Sequence, residues 1–127
     1  MSKVKFFLCE HCGNLVEMIE ASGASIVCCG HEMKELKANT VEASAEKHLP
    51  VAEQKDNIIN VKVGSAAHPM LEEHHIAWIY LETVTGAQRK MLKVGSAPEA
   101  SFSLTDDDKA IAVYEYCNLH GLWKTEL

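Results

Sequence analysis

The sequence predicts an all-β protein, a small metal-stapled β module followed by an antiparallel β-sandwich. Three observations carry this expectation. Short runs rich in β-branched and aromatic residues recur between turn signals, helix signals are nearly absent, and four of the five cysteines fall within the first 37 of 127 residues. Composition divides the chain into residues 1–37, a small, polar linker at 38–45 and a larger domain at 46–127.

In the first part, Val4–Leu8 and Leu15–Ile19 read as strands, the first delivering Cys9-Glu10-His11-Cys12 and the second leading to a turn at Ser22-Gly23. Ser25-Ile26-Val27 then carries the chain into Cys28-Cys29. Fifteen residues separate Cys12 from Cys28, a spacing that brings four thiolates around one tetrahedral ion. Disulfides fit less well, since a vicinal pair is a strained choice and five cysteines leave one over. Zinc and iron both accept four sulfurs, so the donor set alone leaves the metal open. Gly13 and Gly30 each follow a cysteine pair, where a missing side chain lets backbone amides approach the sulfurs. Residues 1–37 are too few to stabilise themselves by apolar burial, so metal binding supplies much of their folding free energy.

In the second part, strands are expected at Ile58–Val63, Ile76–Leu81, Lys90–Val94, Ala100–Leu104 and Ala110–Tyr116. Turn signals at Asp56-Asn57, Thr85-Gly86, Ser96-Ala97-Pro98 and Asp106–Asp108 separate them. Ile76, Trp78 and Tyr80 alternate with Ala77, Ile79 and Leu81, so this strand is buried on both faces at the centre of a sheet pair. Ile111–Tyr116 is read as the last strand, placing Cys117 and the loop after it on a sandwich edge.

The formal charge is −6. Four Lys against five Glu in residues 1–37 give −1, and eight Lys or Arg against thirteen acids in residues 38–127 give −5. That balance disfavours nucleic-acid binding. No apolar run reaches membrane-spanning length and the N-terminal residues lack a signal-peptide pattern, so a cytoplasmic protein without a membrane partner is expected. Free thiolates held by metal suit that reducing compartment.

Cys117 and His120 are the most informative pair in the chain, because a late cysteine three residues before a histidine can complete a metal site that His48, His68 and His74 supply further. A thiolate with several imidazoles suits a redox-active iron or copper better than a closed structural site. His68 and His74, six apart around Pro69, fit a loop wrapping an ion rather than one helix or strand face. His11 and His31 are set aside as solvated neighbours of the cysteine cluster, and His75 because an extended chain turns it away from His74.

Five short motifs in one order carry a family resemblance. Cys9-x2-Cys12 with Cys28-Cys29-Gly30, Glu46-Lys47-His48-x-Pro50, His68-Pro69-Met70 with His74, Lys93-Val94-Gly95-x-Ala97-Pro98-Glu99-Ala100, and Cys117-Asn118-Leu119-His120-Gly121-x-Trp123 resemble desulfoferrodoxin, the two-iron superoxide reductase family. The resemblance covers nearly the whole chain. It implies a desulforedoxin-like module binding iron through Cys9, Cys12, Cys28 and Cys29, then an immunoglobulin-like, neelaredoxin-like catalytic domain. It implies that His48, His68, His74 and His120 are equatorial ligands of a second iron and Cys117 its axial ligand. Glu46 resembles the carboxylate that fills the sixth position of the ferric iron, and Lys47 the cation beside the open position of the ferrous iron. The family's reaction is one-electron reduction of superoxide to hydrogen peroxide, with rubredoxin or a similar carrier as donor and a homodimer as the assembly. His75 stands where the family usually carries an aromatic residue, often tryptophan. Two other readings stay open on the residues alone: a non-enzymatic electron carrier, and a zinc-stapled sandwich that binds a partner and is colourless.

Overall fold

The computed structural model describes residues 4–66 and 68–127, and the chain forms two compact units, Met1–Lys37 and Ala38–Leu127. In the first unit lie β1 (Phe6–Leu8), β2 (Leu15–Glu17), β3 (Val27–Cys28), β4 (His31–Glu32) and β5 (Lys34–Glu35). β1 is central in an antiparallel sheet of order β2-β1-β5, with Phe7 opposite both Val16 and Glu35, while β3 and β4 form a separate hairpin. Among its described residues only Phe6, Cys9 and Met33 are buried. At about 1.5–3 kcal/mol for each fully buried large apolar side chain, that is too little to order some 37 residues unaided.

Among its described residues the second unit contains α1 (Ala45–His48) and seven strands: β6 (Pro50–Lys55), β7 (Ile58–Val63), β8 (Ile76–Thr83), β9 (Ala87–Met91), β10 (Glu99–Ser103), β11 (Ala110–Cys117) and β12 (Gly121–Glu126). They form two antiparallel sheets of order β10-β7-β6 and β12-β11-β8-β9. The chain crosses between sheets after β7, β9 and β10, which is an immunoglobulin-like distribution of strands. β7 alternates strictly, turning Ile59, Val61 and Val63 inward, where they join Phe102 and Leu104 against Ile76, Ile79, Leu81, Val113 and Cys117. Cys117 is thus part of the sandwich core as well as a candidate ligand. A bulge between Tyr116 and Cys117 skips Ala77, so that Ile76 shares the core side with Cys117. No helix among the described residues is long and apolar enough to cross a membrane.

β7 has the expected bounds, and β8, with all but Ala77 buried, is an inner strand as expected. Other expectations need correction. β11 is not the last strand: Gly121–Glu126 folds back on it as β12, so Cys117 ends an inner strand and β12 takes the edge. The strand expected at Lys90–Val94 lies at Ala87–Met91, because the hairpin turns at Thr85-Gly86 and pairs Trp78 with Met91. β6 and α1 were not expected. β6 pairs Val51, Glu53 and Lys55 with Lys62, Asn60 and Ile58, an alternation whose outer face is mostly polar.

Candidate metal centres

α1 holds a single turn. Leu49 precedes Pro50 and is extended, with φ −66° and ψ 123°, because a residue before proline is kept from helical ψ. His48 is therefore the last helical residue, and it is buried. The turn rests on Gly64, whose φ is +77° and where a Cβ would lie 2.6 Å from the Glu46 carbonyl oxygen and 2.7 Å from the Lys47 carbonyl carbon. The same Glu46 carbonyl accepts hydrogen bonds from the Ala66 amide at 3.0 Å and the Ser65 hydroxyl at 3.2 Å. Glu46 and Lys47 themselves are exposed.

His68 and His74 come from the loop between β7 and β8, Cys117 from the end of β11, and His120 from the β11–β12 turn. Their donor atoms and that of His48 all lie within 4.8 Å of one another. His48 Nε2 is 3.0 Å from His120 Nδ1 and 3.1 Å from His68 Nε2. The four rings form a closed square. Neighbours along His48, His68, His74, His120 and back to His48 have centroids 4.6, 4.7, 5.0 and 4.7 Å apart and meet at 75–87°, while His48 and His74 face each other across 6.4 Å at 27°. Cys117 Sγ is 3.6 Å from His68 Nε2 and 3.8 Å from His120 Nδ1, two opposite corners. The sulfur therefore sits over one side of the square.

His48 Nδ1 lies 2.8 Å from the Ser44 carbonyl and His68 Nδ1 2.7 Å from the Pro69 carbonyl. A carbonyl only accepts, so both Nδ1 atoms carry hydrogen and both Nε2 atoms of the neutral rings are bare lone pairs. Those lone pairs face each other at 3.1 Å. Burial, the largest cause, pushes the pKa values of His48, His68 and His74 below the usual imidazole value, His68 to about 4, so protons do not relieve the repulsion at neutral pH. His74 Nε2 is buried with no hydrogen-bond partner among the described residues. Burial likewise raises the Cys117 thiol above its ordinary pKa. Converging lone pairs, an orphaned buried nitrogen and a buried thiol are what a cation satisfies, and zinc–imidazole bonds of about 2.0–2.1 Å indeed set neighbouring nitrogens about 3 Å apart.

Three residues that support this square carry no sign of that role in the sequence. Trp123 stacks on His48 at 5.0 Å and 25° and donates its indole N–H to the His120 carbonyl at 3.1 Å. Asn118 ties the two ligand loops together: its side chain accepts from the His75 amide at 2.8 Å and donates to the Glu73 carbonyl at 3.0 Å, and its own amide donates to the His75 carbonyl at 3.1 Å. Gly64 is the third. The late motif contains Asn118 and Trp123, but only the fold shows what they touch. His75 is outside the donor set; its Nδ1 lies 3.0 Å from the Leu71 carbonyl and 3.1 Å from that of Glu72, so it closes its own loop.

In the first unit Cys9, Cys12, Cys28 and Cys29 bring their sulfurs within 4.8 Å of one another. Cys12 and Cys28 are 3.6 Å apart and Cys28 and Cys29 4.0 Å, far beyond a disulfide length of about 2.05 Å. The Cys12 amide donates to Cys9 Sγ at 3.5 Å and, with its other contacts, lowers the Cys9 pKa to about 6. Cys29 is pushed up to about 12, first by sharing hydrogen with Cys12. One thiolate thus forms readily while Cys28 and Cys29 resist ionisation, a repulsion that a bound cation removes. Cys29 has φ +53°, and Gly13 and Gly30 have φ +83° and +76°, so each cysteine pair closes through a left-handed residue. His11 and His31 are exposed and stack at 4.6 Å beside the cluster, outside the donor set.

Residues 40–126 match the desulfoferrodoxin family model, and residues 2–36 match that of the desulfoferrodoxin N-terminal domain. A desulfoferrodoxin from Nitratidesulfovibrio vulgaris is 46% identical over 125 residues, covering 98% of each chain, and one from Syntrophotalea carbinolica is 48% identical over 124 residues, covering 98% of this chain and 97% of the relative. Among solved structures, the superoxide reductase from Treponema pallidum superposes with a TM-score of 0.84 at 43% identity, covering 98% of this chain and all of that one. The one-iron superoxide reductase from Giardia intestinalis covers 65% of this chain, with 99% of its own length, at 32% identity and a TM-score of 0.54. Two donor sets, two matched segments and relatives alike over nearly their full length agree: the chain belongs to the desulfoferrodoxin family.

Proposed function

We propose that this protein reduces superoxide to hydrogen peroxide, taking one electron and two protons per superoxide and releasing no dioxygen. The observation that carries the reading is the square of four imidazoles with one thiolate on one side. Five donors are one short of six-coordination, and a fully coordinated electron carrier has no such shortfall. His48, His68, His74, His120 and Cys117 hold iron here, and Cys9, Cys12, Cys28 and Cys29 hold a second iron in the first unit. When bound, the imidazole–thiolate iron supplies the single electron, with the thiolate raising its electron density.

The rest falls to the chain. Lys47, exposed one residue before His48, attracts the superoxide anion to an otherwise acidic protein and keeps ordered water near for proton delivery. Glu46, two residues before His48, would offer its carboxylate to a bound iron in its oxidised form. A rubredoxin-like carrier restores the ferrous state, and the protein works in the cytoplasm as a homodimer. The relatives' names and the mixed thiolate–imidazole donors support iron chemistry over a zinc-stapled binding module.

The test begins with colour. Protein purified without added metal should absorb visible light and carry two iron ions per chain, and a superoxide flux should yield one peroxide per superoxide consumed. A colourless zinc protein, or dioxygen released with half that peroxide, would overturn the reading.

A further inference from the structure

The outer face of the four-stranded sheet carries a cross-strand aromatic chain that begins at the residue bonded to Cys117. Tyr116 is opposite Trp78 and Tyr114 opposite Tyr80. Tyr116 and Trp78 stack with centroids 5.8 Å apart and planes 14° apart, Trp78 meets Tyr80 at 6.3 Å, and Tyr80 meets Tyr114 edge-on at 5.7 Å. The chain ends on a polar pair: the Tyr114 hydroxyl donates to Glu82 Oε1 at 3.2 Å, and both residues are buried.

We infer that Tyr116, Trp78, Tyr80 and Tyr114 form an escape route for oxidising equivalents, leading from the Cys117 ligand to a redox-active tyrosine whose proton passes to Glu82. This rests on the proposed superoxide reduction, whose product, hydrogen peroxide, would arise at the metal that Cys117 helps to hold, and peroxide oxidises thiolates. Peroxide takes two electrons on cleavage. Were it to react again before leaving, a bound ferrous iron would give one electron and Tyr114 the other: ferrous iron, tyrosine, the Glu82 carboxylate, hydrogen peroxide and two solvent protons yield ferric iron, a neutral tyrosyl radical, protonated Glu82 and two waters. The O–O bond breaks, the phenol O–H proton moves to the Glu82 carboxylate, and no electron is taken from Cys117 or an imidazole.

Charge placement sets the direction. The Arg89 guanidinium lies 5.9 Å from the Trp78 ring and 5.7 Å from the Tyr80 ring, which disfavours a lasting positive charge on either. Tyr114 also has a cation over it, Lys124 Nζ at 5.5 Å, but a tyrosine that hands its proton to a buried carboxylate becomes a neutral radical on which that cation exerts no such penalty. The route does not serve the forward reaction. Tyrosine and tryptophan give up electrons only to a strong oxidant, so they are idle toward superoxide and act only on a peroxide-level challenge. Cross-strand aromatic pairs also stabilise sheets, by about 0.2–1 kcal/mol each, so a stability change alone does not bear on the route.

The experiment uses the full-length iron-loaded protein, reduced, mixed with excess hydrogen peroxide and freeze-quenched. Electron paramagnetic resonance should show a tyrosyl radical in the wild type. Tyr114→Phe should remove that signal or replace it with a different radical, and Trp78→Phe, which keeps an aromatic ring in place, should weaken it severalfold. Mass spectrometry of the peptide containing Cys117 should find severalfold more sulfinic or sulfonic acid per peroxide consumed in both variants, at unchanged iron content. A wild type without a radical, or variants with the wild-type radical and wild-type Cys117 oxidation, would overturn the inference. The same preparations are assayed for superoxide reduction, which should be equal in all three; its loss in the wild type would sink the proposed function instead, while the peroxide experiment still decides the route.

Discussion

Lys47 and Glu46 are neighbours on one exposed turn, and their chemistry separates them. Replacing Lys47 with alanine should leave folding intact, since an exposed lysine contributes little to stability. The second-order rate with superoxide should fall about tenfold at low ionic strength, and its salt dependence should flatten because the steering charge has gone. Pulse radiolysis giving equal rates and equal salt slopes would make Lys47 an ordinary surface charge. Glu46→Ala should retain activity but shift the ferric absorption band and make it move with pH, as water or hydroxide takes the carboxylate's place; a ferric spectrum unchanged across pH removes Glu46 from the site. Glu115 makes a third case. It is fully buried on the same strand face as Cys117, neither carboxylate oxygen has a hydrogen-bond partner among the described residues, and burial pushes its pKa up to about 9. The unfolded chain loses this proton near pH 4.5 and the folded chain keeps it to about 9, so the unfolded state binds fewer protons between those values and stability falls as pH rises through them. Glu115→Gln should therefore melt at a higher temperature than wild type at pH 8, by at least about 1 kcal/mol in stability, with the gap closing near pH 4.5. A gap that does not change with pH would show that Glu115 is partnered.

At the scale of elements, legibility in the sequence depends on how each element is stabilised. β7 and β8 were legible because their burial pattern is written in their own residues: strict alternation in Ile58–Val63, two-sided burial in Ile76–Thr83. β6 and β12 were not, because polar or small residues such as Glu53, Gln54, Lys124 and Thr125 leave no periodic signal, and these strands exist through pairing with β7 and β11. α1 was hidden for a further reason. Four residues without a side-chain cap do not form a helix alone, and what holds this turn is Gly64, sixteen residues beyond His48 in the chain. Gly64→Ala tests that dependence. The added methyl would press on the Glu46 and Lys47 backbone and must also adopt φ +77°, so α1 should shift and carry His48 away from the other donors. We expect a loss of iron from the imidazole–thiolate site and a fall in thermal stability of about 1–3 kcal/mol, with the tetrathiolate absorption retained. Full iron content and wild-type rate in this variant would mean that the turn accommodates the methyl and does not fix His48.

The whole molecule combines two units that are stable for different physical reasons. The donor residues that the fold brings together were legible in both, because thiols and imidazoles at these spacings have few other uses, and the motif order pointed to the family. The supports were not: Asn118 and Trp123 act through contacts that only the folded hairpin creates, and the square of rings arises from separate segments of the chain. The sandwich buries a continuous apolar core between two sheets, whereas the first unit, among its described residues, buries three side chains and draws on its four sulfurs. Loss of one sulfur should therefore act on one unit alone. Cys28 is the informative choice, since its sulfur is the one in contact with Cys12, Cys29 and the Asn14 side chain, at 3.6, 4.0 and 3.6 Å. Cys28→Ser should halve the iron content, remove the ferric tetrathiolate absorption and leave the amides of residues 4–37 exchanging fast with solvent, because a structural metal is folding free energy for a unit with so small a core. Superoxide reduction should persist at a similar second-order rate, since its five donors all lie in residues 38–127. Slow exchange in the first unit after loss of its iron would show that this unit folds on its own core, and a variant that kept both irons would remove Cys28 from the cluster.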